Sequence, residues 1–232
     1  MTLPARVRDQ IRRWAHRLAP HALITWRLFR GLGSMRAQRA FVKRNLARRF
    51  SGQPDRLPAT LRRGFEIVFV CRGNIMRSPL AEAVLRAGLA ADTRSLVASA
   101  GISATPGTPA DERARAFAET RGLSLAQHQA QSLDAALLRR ADLLVALDRG
   151  IEAEILARHP PARTRTVLLG GVDSSGRYRG YDILDPVLAP DDETERVFRA
   201  TEAGARALAK WLTDRVGPDS TPMSPHGTSL AD

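Results

Sequence analysis

Only one cysteine occurs in 232 residues, so the chain can build neither an internal disulfide nor a cysteine-rich metal centre, and its thiol usage fits a reducing compartment. Aromatic residues are scarce at 5%, which leaves aliphatic side chains to fill most of a core. No apolar run reaches the length of a membrane-spanning helix, since the stretch Ala22 to Trp26 is cut short at Arg27. A signal-peptide h-region with a small-residue cleavage site is also lacking, so export is not expected and a cytoplasmic protein is. Acidic residues are nearly missing from positions 1–63, where Asp9 and Asp55 stand against 16 Lys+Arg, net +14. The remainder has 20 Lys+Arg against 22 acids, net −2. The basicity therefore belongs to one segment, and the rest of the chain has no charge-driven reason to seek polyanions.

That basic segment carries apolar residues at helical spacing. Leu3, Val7, Ile11, Trp14 and Leu18 form a first stripe, Leu23, Ile24, Trp26, Leu28 and Phe29 a second, and Gly31 and Gly33 a joint. Met35, Phe41, Val42, Leu46 and Phe50 then alternate with Arg36, Arg39, Lys43, Arg44, Arg48 and Arg49, which predicts an amphipathic helix with a basic face. Ser51 to Pro58 reads as a linker. From Phe65 onward short β-type runs alternate with helical ones, the pattern of a parallel sheet with crossover helices. Strands are predicted at Phe65–Val70, Leu96–Ser99, Leu143–Leu147 and Thr166–Leu169. Helices are predicted at Pro79–Ala90, Pro109–Arg121, Leu133–Arg140, Ile151–Arg158 and Glu195–Asp214. The Pro-, Ser- and Gly-rich end reads as a disordered tail. The expected division is 1–62 for the basic extension and linker, 63–215 for the α/β domain and 216–232 for the tail.

The chemistry is concentrated in CRGNIMRSP, Cys71 to Pro79, directly after the first strand. A loop running from strand to helix can aim its backbone N–H groups at an anion held on the helix N-terminus. A sulfur held there is favoured as the thiolate. Arg77 can reach back across the loop and grip two phosphate oxygens with its planar fork. A lone cysteine is more often a small buried core residue, but these partners at these offsets have a chance occurrence on the order of one in a million.

On these residues the chain resembles the low molecular weight protein tyrosine phosphatases, whose loop reads Cys-x-Gly-Asn-x-x-Arg-Ser-Pro, and the resemblance spans roughly Phe65 to Arg215. It implies a three-layer, flavodoxin-like fold: a four-stranded parallel sheet with helices on both faces, here preceded by the basic helical extension. It implies Cys71 as nucleophile, Arg77 as phosphoryl clamp and Asp185, followed by Pro186, as general acid. Arg72, Gly73, Asn74, Ile75, Met76 and Ser78 would bind substrate. Asn74 would shape the loop in a left-handed conformation, Ser78 would stabilise the thiolate, and Ser99 and His128, the latter in QHQAQ, would support the loop. No metal or other cofactor is implied. Asp-Pro is also a common turn dipeptide, and Asp182, Asp191 and Asp192 lie near.

Departures from the family bear on substrate. Met76 stands where many members carry a second loop cysteine, Val187 and Leu188 replace aromatic residues after the Asp-Pro pair, and Ile102 stands where an aromatic wall would follow Ser99. Ile75 occupies the position where related phosphoarginine phosphatases carry threonine, and Arg72 favours an acidic substrate. A phosphotyrosine protein is the expected substrate. An arsenate reductase on the same fold, or a catalytically weak phosphate-binding module, are the alternatives, although the first would need further cysteines. The extension is expected to be dispensable for chemistry and to attach the enzyme to an anionic membrane surface, peripheral to the inner face, or to a protein partner. Nucleic acid is disfavoured, because no nucleic-acid fold accompanies the charge.

Overall fold

The sequence EIVFVC, Glu66–Cys71, is buried along its whole length, which requires a strand covered on both faces. The computed structural model describes residues 22–51, 57, 64–89, 96–172 and 182–215. Over these the chain runs α1 (residues 22–30), α2 (Met35–Ser51), β1 (Glu66–Cys71), α3 (Arg77–Gly88), β2 (Leu96–Gly101), α4 (Glu112–Glu119), α5 (Ala135–Arg140), β3 (Leu143–Ala146), α6 (Arg149–Arg158), β4 (Thr166–Leu168), α7 (Leu169–Val172) and α8 (Asp191–Arg215). A 3₁₀ turn at Pro160–Arg165 leads into β4. The strands form one parallel sheet in the order β2-β1-β3-β4, as expected for the flavodoxin-like class. The stripe at positions 3–18, most of the linker and the tail lie outside the described residues.

Alternation along each strand divides the interior in two. Ile67, Phe69 and Cys71 with Leu143 and Val145 face a layer built on α3 and α8, through Leu80, Leu85, Phe198 and Leu208. Val68 and Val70 with Leu144 and Ala146 face α5 and α6, through Leu137, Leu138, Ile151 and Ile155. Each such aliphatic side chain contributes roughly 1.5–3 kcal/mol on burial. The two layers clamp β1 and fix the point at which its chain end, Cys71, emerges.

Local chemistry accounts for where the helices depart from their predicted limits. Asp148 accepts from the Ile151 N–H at 2.8 Å, so α6 starts at Arg149 rather than Ile151. Asp111 accepts from the Arg113 N–H at 2.9 Å, which excludes Pro109 and Ala110 from α4. The acids Asp191, Asp192 and Glu193 occupy the first turn of α8, where the helix dipole favours them and extends the helix ahead of Glu195. By contrast, α3 starts with no side-chain cap. Its first turn, uncapped by any side chain, opens onto the loop after β1.

The extension is packed on the body. In α2 the buried face is Ala37 and Phe41, continued by Arg44 and Arg48, spaced along one helical stripe. The predicted apolar stripe is thereby corrected: Met35, Val42, Leu46 and Phe50 are exposed, and two arginines of the supposed basic face are turned inward. Both meet Glu152 of α6 at 2.8 Å, a carboxylate only 1% exposed. Leu28 and Phe29 of α1 join Leu32, Ala37, Phe41 and Ala153 in a third apolar cluster. Arg149 donates to Asn45 Oδ1 at 2.7 Å and Thr25 Oγ1 at 3.1 Å.

Candidate active site

In the order β2-β1-β3-β4 the connections reverse direction between β1 and β3, and parallel sheets bind ligands in the crevice at that switch, outside the strand ends. The loop after β1 carries Cys71, and the turn after β3 carries Asp148. Arg77, at the end of that loop, reaches across to Asp148 there.

Cys71 Sγ receives the Asn74 N–H at 3.2 Å and lies 3.0 Å from Ser78 Oγ. Asn74 is the described non-glycine residue with positive φ, at 56°, a left-handed conformation that asparagine tolerates better than most side chains. Its side chain is used at both ends: Nδ2 donates to Ser78 Oγ at 2.9 Å and to Ser99 Oγ at 2.8 Å, while Oδ1 accepts from the Gln131 N–H at 2.8 Å. Ser99 in turn donates to Glu82 at 2.6 Å. His128 Nε2 lies 2.7 Å from the Asn74 carbonyl; a carbonyl can only accept, so the ring carries its proton on Nε2. Beneath the loop sits Gly101. A Cβ there would stand 2.6 Å from the Arg72 carbonyl and 3.1 Å from Asn74 N, so the loop can close only over glycine.

Arg77 is 1% exposed and its charge is fully engaged. Nη1 donates to Asp148 Oδ2 at 2.9 Å and to the Ile183 carbonyl at 2.7 Å, and Nη2 meets Asp185 Oδ2 at 2.8 Å. Burial works against the guanidinium's charge, but Asp148, Asp185 and Cys71 outweigh it and push the pKa further up. The cation is held ready across any working pH. Asp185 is the partly open member of the group, with its side chain 34% exposed. Its segment is fastened by Arg113, which donates to the Val187 and Ala189 carbonyls, and by Asp182, which accepts from Arg149.

Cys71, Asn74, Ser78, Ser99 and His128 are thus joined in one hydrogen-bonded group, and Arg77 with Asp185 and Asp148 in an ion-paired one, the two meeting through the electrostatic attraction between Cys71 and Arg77. Arg72 is exposed at the rim. Gly73 and Ile75 are half-buried, and Ile75 packs on the core. Met76 is different, because its side chain is a core residue 2% exposed; only its backbone belongs to the loop. Ile102 is buried with the α5–α6 layer. Sequence reasoning missed Asp148, although an acid directly after a buried strand and before a helix is where such sites gather. It missed Gly101 and Gln131, which carry no local signal. It also missed α1: Leu23, Ile24, Arg27 and Leu28 line the cleft together with Arg77, Asp148 and Asp185. The extension is therefore not separate from the site.

A sequence model of the family described as "Low molecular weight phosphotyrosine protein phosphatase" matches residues 66–217. This chain belongs to that family. It is an enzyme of the protein-tyrosine-phosphatase class. It is 38% identical over 141 residues to the probable low molecular weight protein-tyrosine-phosphatase EpsP of Ralstonia nicotianae, covering 59% of this chain and 91% of that protein. The solved structure of the tyrosine phosphatase AmsI of Erwinia amylovora superposes with a TM-score of 0.59 at 32% identity, over 68% of this chain and 99% of that one. The YwlE arginine phosphatase from Geobacillus stearothermophilus gives 0.58 at 30% identity, over 65% and 94%. The family match begins at residue 66, after the basic extension.

Proposed function

We propose that the enzyme hydrolyses protein phosphotyrosine through a cysteinyl-phosphate intermediate. The observation that carries this reading is the junction of Cys71 Sγ, held by the Asn74 N–H and Ser78 Oγ, with an Arg77 whose fork is shared with Asp185. An incoming phosphoryl group takes the Arg77 donors now held by Asp185. Cys71 thiolate attacks phosphorus, the S–P bond forms, the P–O bond to the aryl group breaks, and Asp185 protonates the leaving oxygen. Asp185 then takes a proton from water as that water attacks phosphorus, which releases inorganic phosphate and returns the thiolate. Asp148 keeps Arg77 aimed throughout.

A phenyl ring is favoured over a guanidinium because Ile75 is apolar at the position where related phosphoarginine phosphatases carry threonine. The test is leaving-group dependence. Asp185→Asn is expected to slow a phosphotyrosine peptide far more than an aryl phosphate whose phenol departs unaided, and equal slowing would remove Asp185 from the acid role. Faster turnover of phosphoarginine than of phosphotyrosine would overturn the substrate assignment.

A second reading concerns the outer face of the extension. Trp26, Val42, Leu46 and Phe50 are exposed, and Arg30 stacks on Trp26 with Arg49 nearby. No helix among the described residues is long and apolar enough to cross a membrane. Apolar side chains rimmed by arginines suit peripheral attachment to an anionic bilayer from the cytoplasmic side. Sedimentation with anionic but not neutral vesicles is the expected result, and equal sedimentation of a Trp26→Ala/Phe50→Ala variant would refute it.

A further inference from the structure

The floor of the cleft is accounted for by the catalytic loop, Asp148 and the Asp185 segment. Its wall is not. One side of the roughly 500 Å³ space is made by Leu23, Ile24, Arg27 and Leu28 of α1, residues spaced so that they share one helical face. Leu23 is 65% exposed and Leu188, which lines the same space, is 93% exposed. Both stand at the cleft with nothing in the fold requiring them to be apolar. Two cations stand with them: Arg27 and Arg72 line the same space and, among the described residues, make no ion pair. Arg77 in the floor is already matched by Asp148 and Asp185. Glu193 is the one further acid at the cleft.

The wall is rigidly placed. Leu28 packs against Gly150 at the start of α6, where a Cβ would come within 3.5 Å of Leu28 Cδ2. Gly33 N–H donates to Glu154 at 2.9 Å. Arg149 bonds Thr25 and Asn45 of the extension while also binding Asp182, three residues before Asp185. A single guanidinium thus sets the distance between the α1 wall and the segment that bears the acid.

We propose that α1 is the specificity wall of the active site: Leu23 and Leu188 grip the apolar part of the phosphorylated residue, and Arg27 with Arg72 selects substrates that carry acidic residues beside it. This rests on the phosphotyrosine reading above and names the class of peptide that reading leaves open. The side chains of α1 supply the apolar surface that Val187 and Leu188 alone, lacking aromatic rings, do not.

The test compares two phosphotyrosine peptides, identical except that the flanking residues are glutamates in one and lysines in the other, and reads the ratio of their kcat/KM values within each protein. For exposed charge pairs a reversal is expected to move that ratio by about five- to twentyfold. The unaltered enzyme should favour the acidic peptide, Arg27→Lys should keep that preference, and Arg27→Glu should abolish or invert it. Arg163→Glu, the same charge change on the 3₁₀ turn before β4 and away from the strand ends that bear the site, should leave the ratio as it was. An unchanged ratio in Arg27→Glu, or an equal shift in Arg163→Glu, would overturn the proposal. If the unaltered enzyme hydrolysed aryl phosphates yet neither peptide, the phosphotyrosine reading would fall first and this inference with it.

Discussion

The body of the molecule and its basic extension were built by different rules. In the body, burial decides everything: β1 alternates its side chains between two apolar layers, and the site's polar groups are paired to one another at the strand ends. In the extension, apolar side chains are left outside, while two arginines are taken inside to meet Glu152. Hydrophobic periodicity therefore describes the first region well and misleads in the second. A charge-rich helix next to a domain cannot be assigned to solvent until the acids of that domain have been counted as partners.

The sharpest way to test that contrast is to damage each region in turn. Cys71→Ser should lower turnover by a factor of about 10⁴ or more, because the covalent step disappears, while inorganic phosphate still binds by calorimetry through the loop and Arg77. Asp148→Asn comes next. It leaves Arg77 in place and keeps an oxygen to cap α6, but removes the charge that aims Arg77, so kcat/KM should drop on the order of a hundredfold, with a stability loss of about 1–3 kcal/mol from the weakened buried pair.

In the extension, Phe41→Ala should cost about 3 kcal/mol in chemical denaturation of the full chain, because Phe41 is 3% exposed in the third cluster. That loss is expected only if the extension and body unfold together. A denaturation midpoint for the body that ignores Phe41→Ala would restore the view of an independent appendage. The smallest effect concerns oxidation. With Cys71 the sole cysteine, a sulfenic acid there has no neighbour to trap it as an internal disulfide. Prolonged peroxide should drive it to states that dithiothreitol does not reverse, and full recovery would argue against this.

Much of the body was legible beforehand. Four strands and five helices were visible as changes of period, and the loop Cys71–Pro79 declared an anion cradle because its glycine, asparagine and arginine are demanded by backbone geometry and charge at fixed offsets. The limits of α4, α6 and α8 were less legible, since Asp111 and Asp148 act as caps, and the acids before Glu195 as first-turn charges, only once the chain direction is known. Asp148 itself was invisible as a clamp on Arg77, because the two are brought together by the β1–β3 pairing rather than by sequence. The placement of α1 depends on Arg149, Gly150 and Glu152, residues whose own neighbourhood gives no hint that a helix more than a hundred positions earlier will dock on them.

The central claim is that phosphoryl transfer passes through Cys71. Rapid quench of the enzyme during turnover of an aryl phosphate, followed by mass spectrometry of the peptide containing Cys71, should find one added, sulfur-linked phosphoryl group in Asp185→Asn, where hydrolysis of the intermediate is slowed, and no sulfur-linked one in Cys71→Ser. Sustained turnover by Cys71→Ser, or an Asp185→Asn enzyme that turns over without ever carrying phosphate on that peptide, would contradict it.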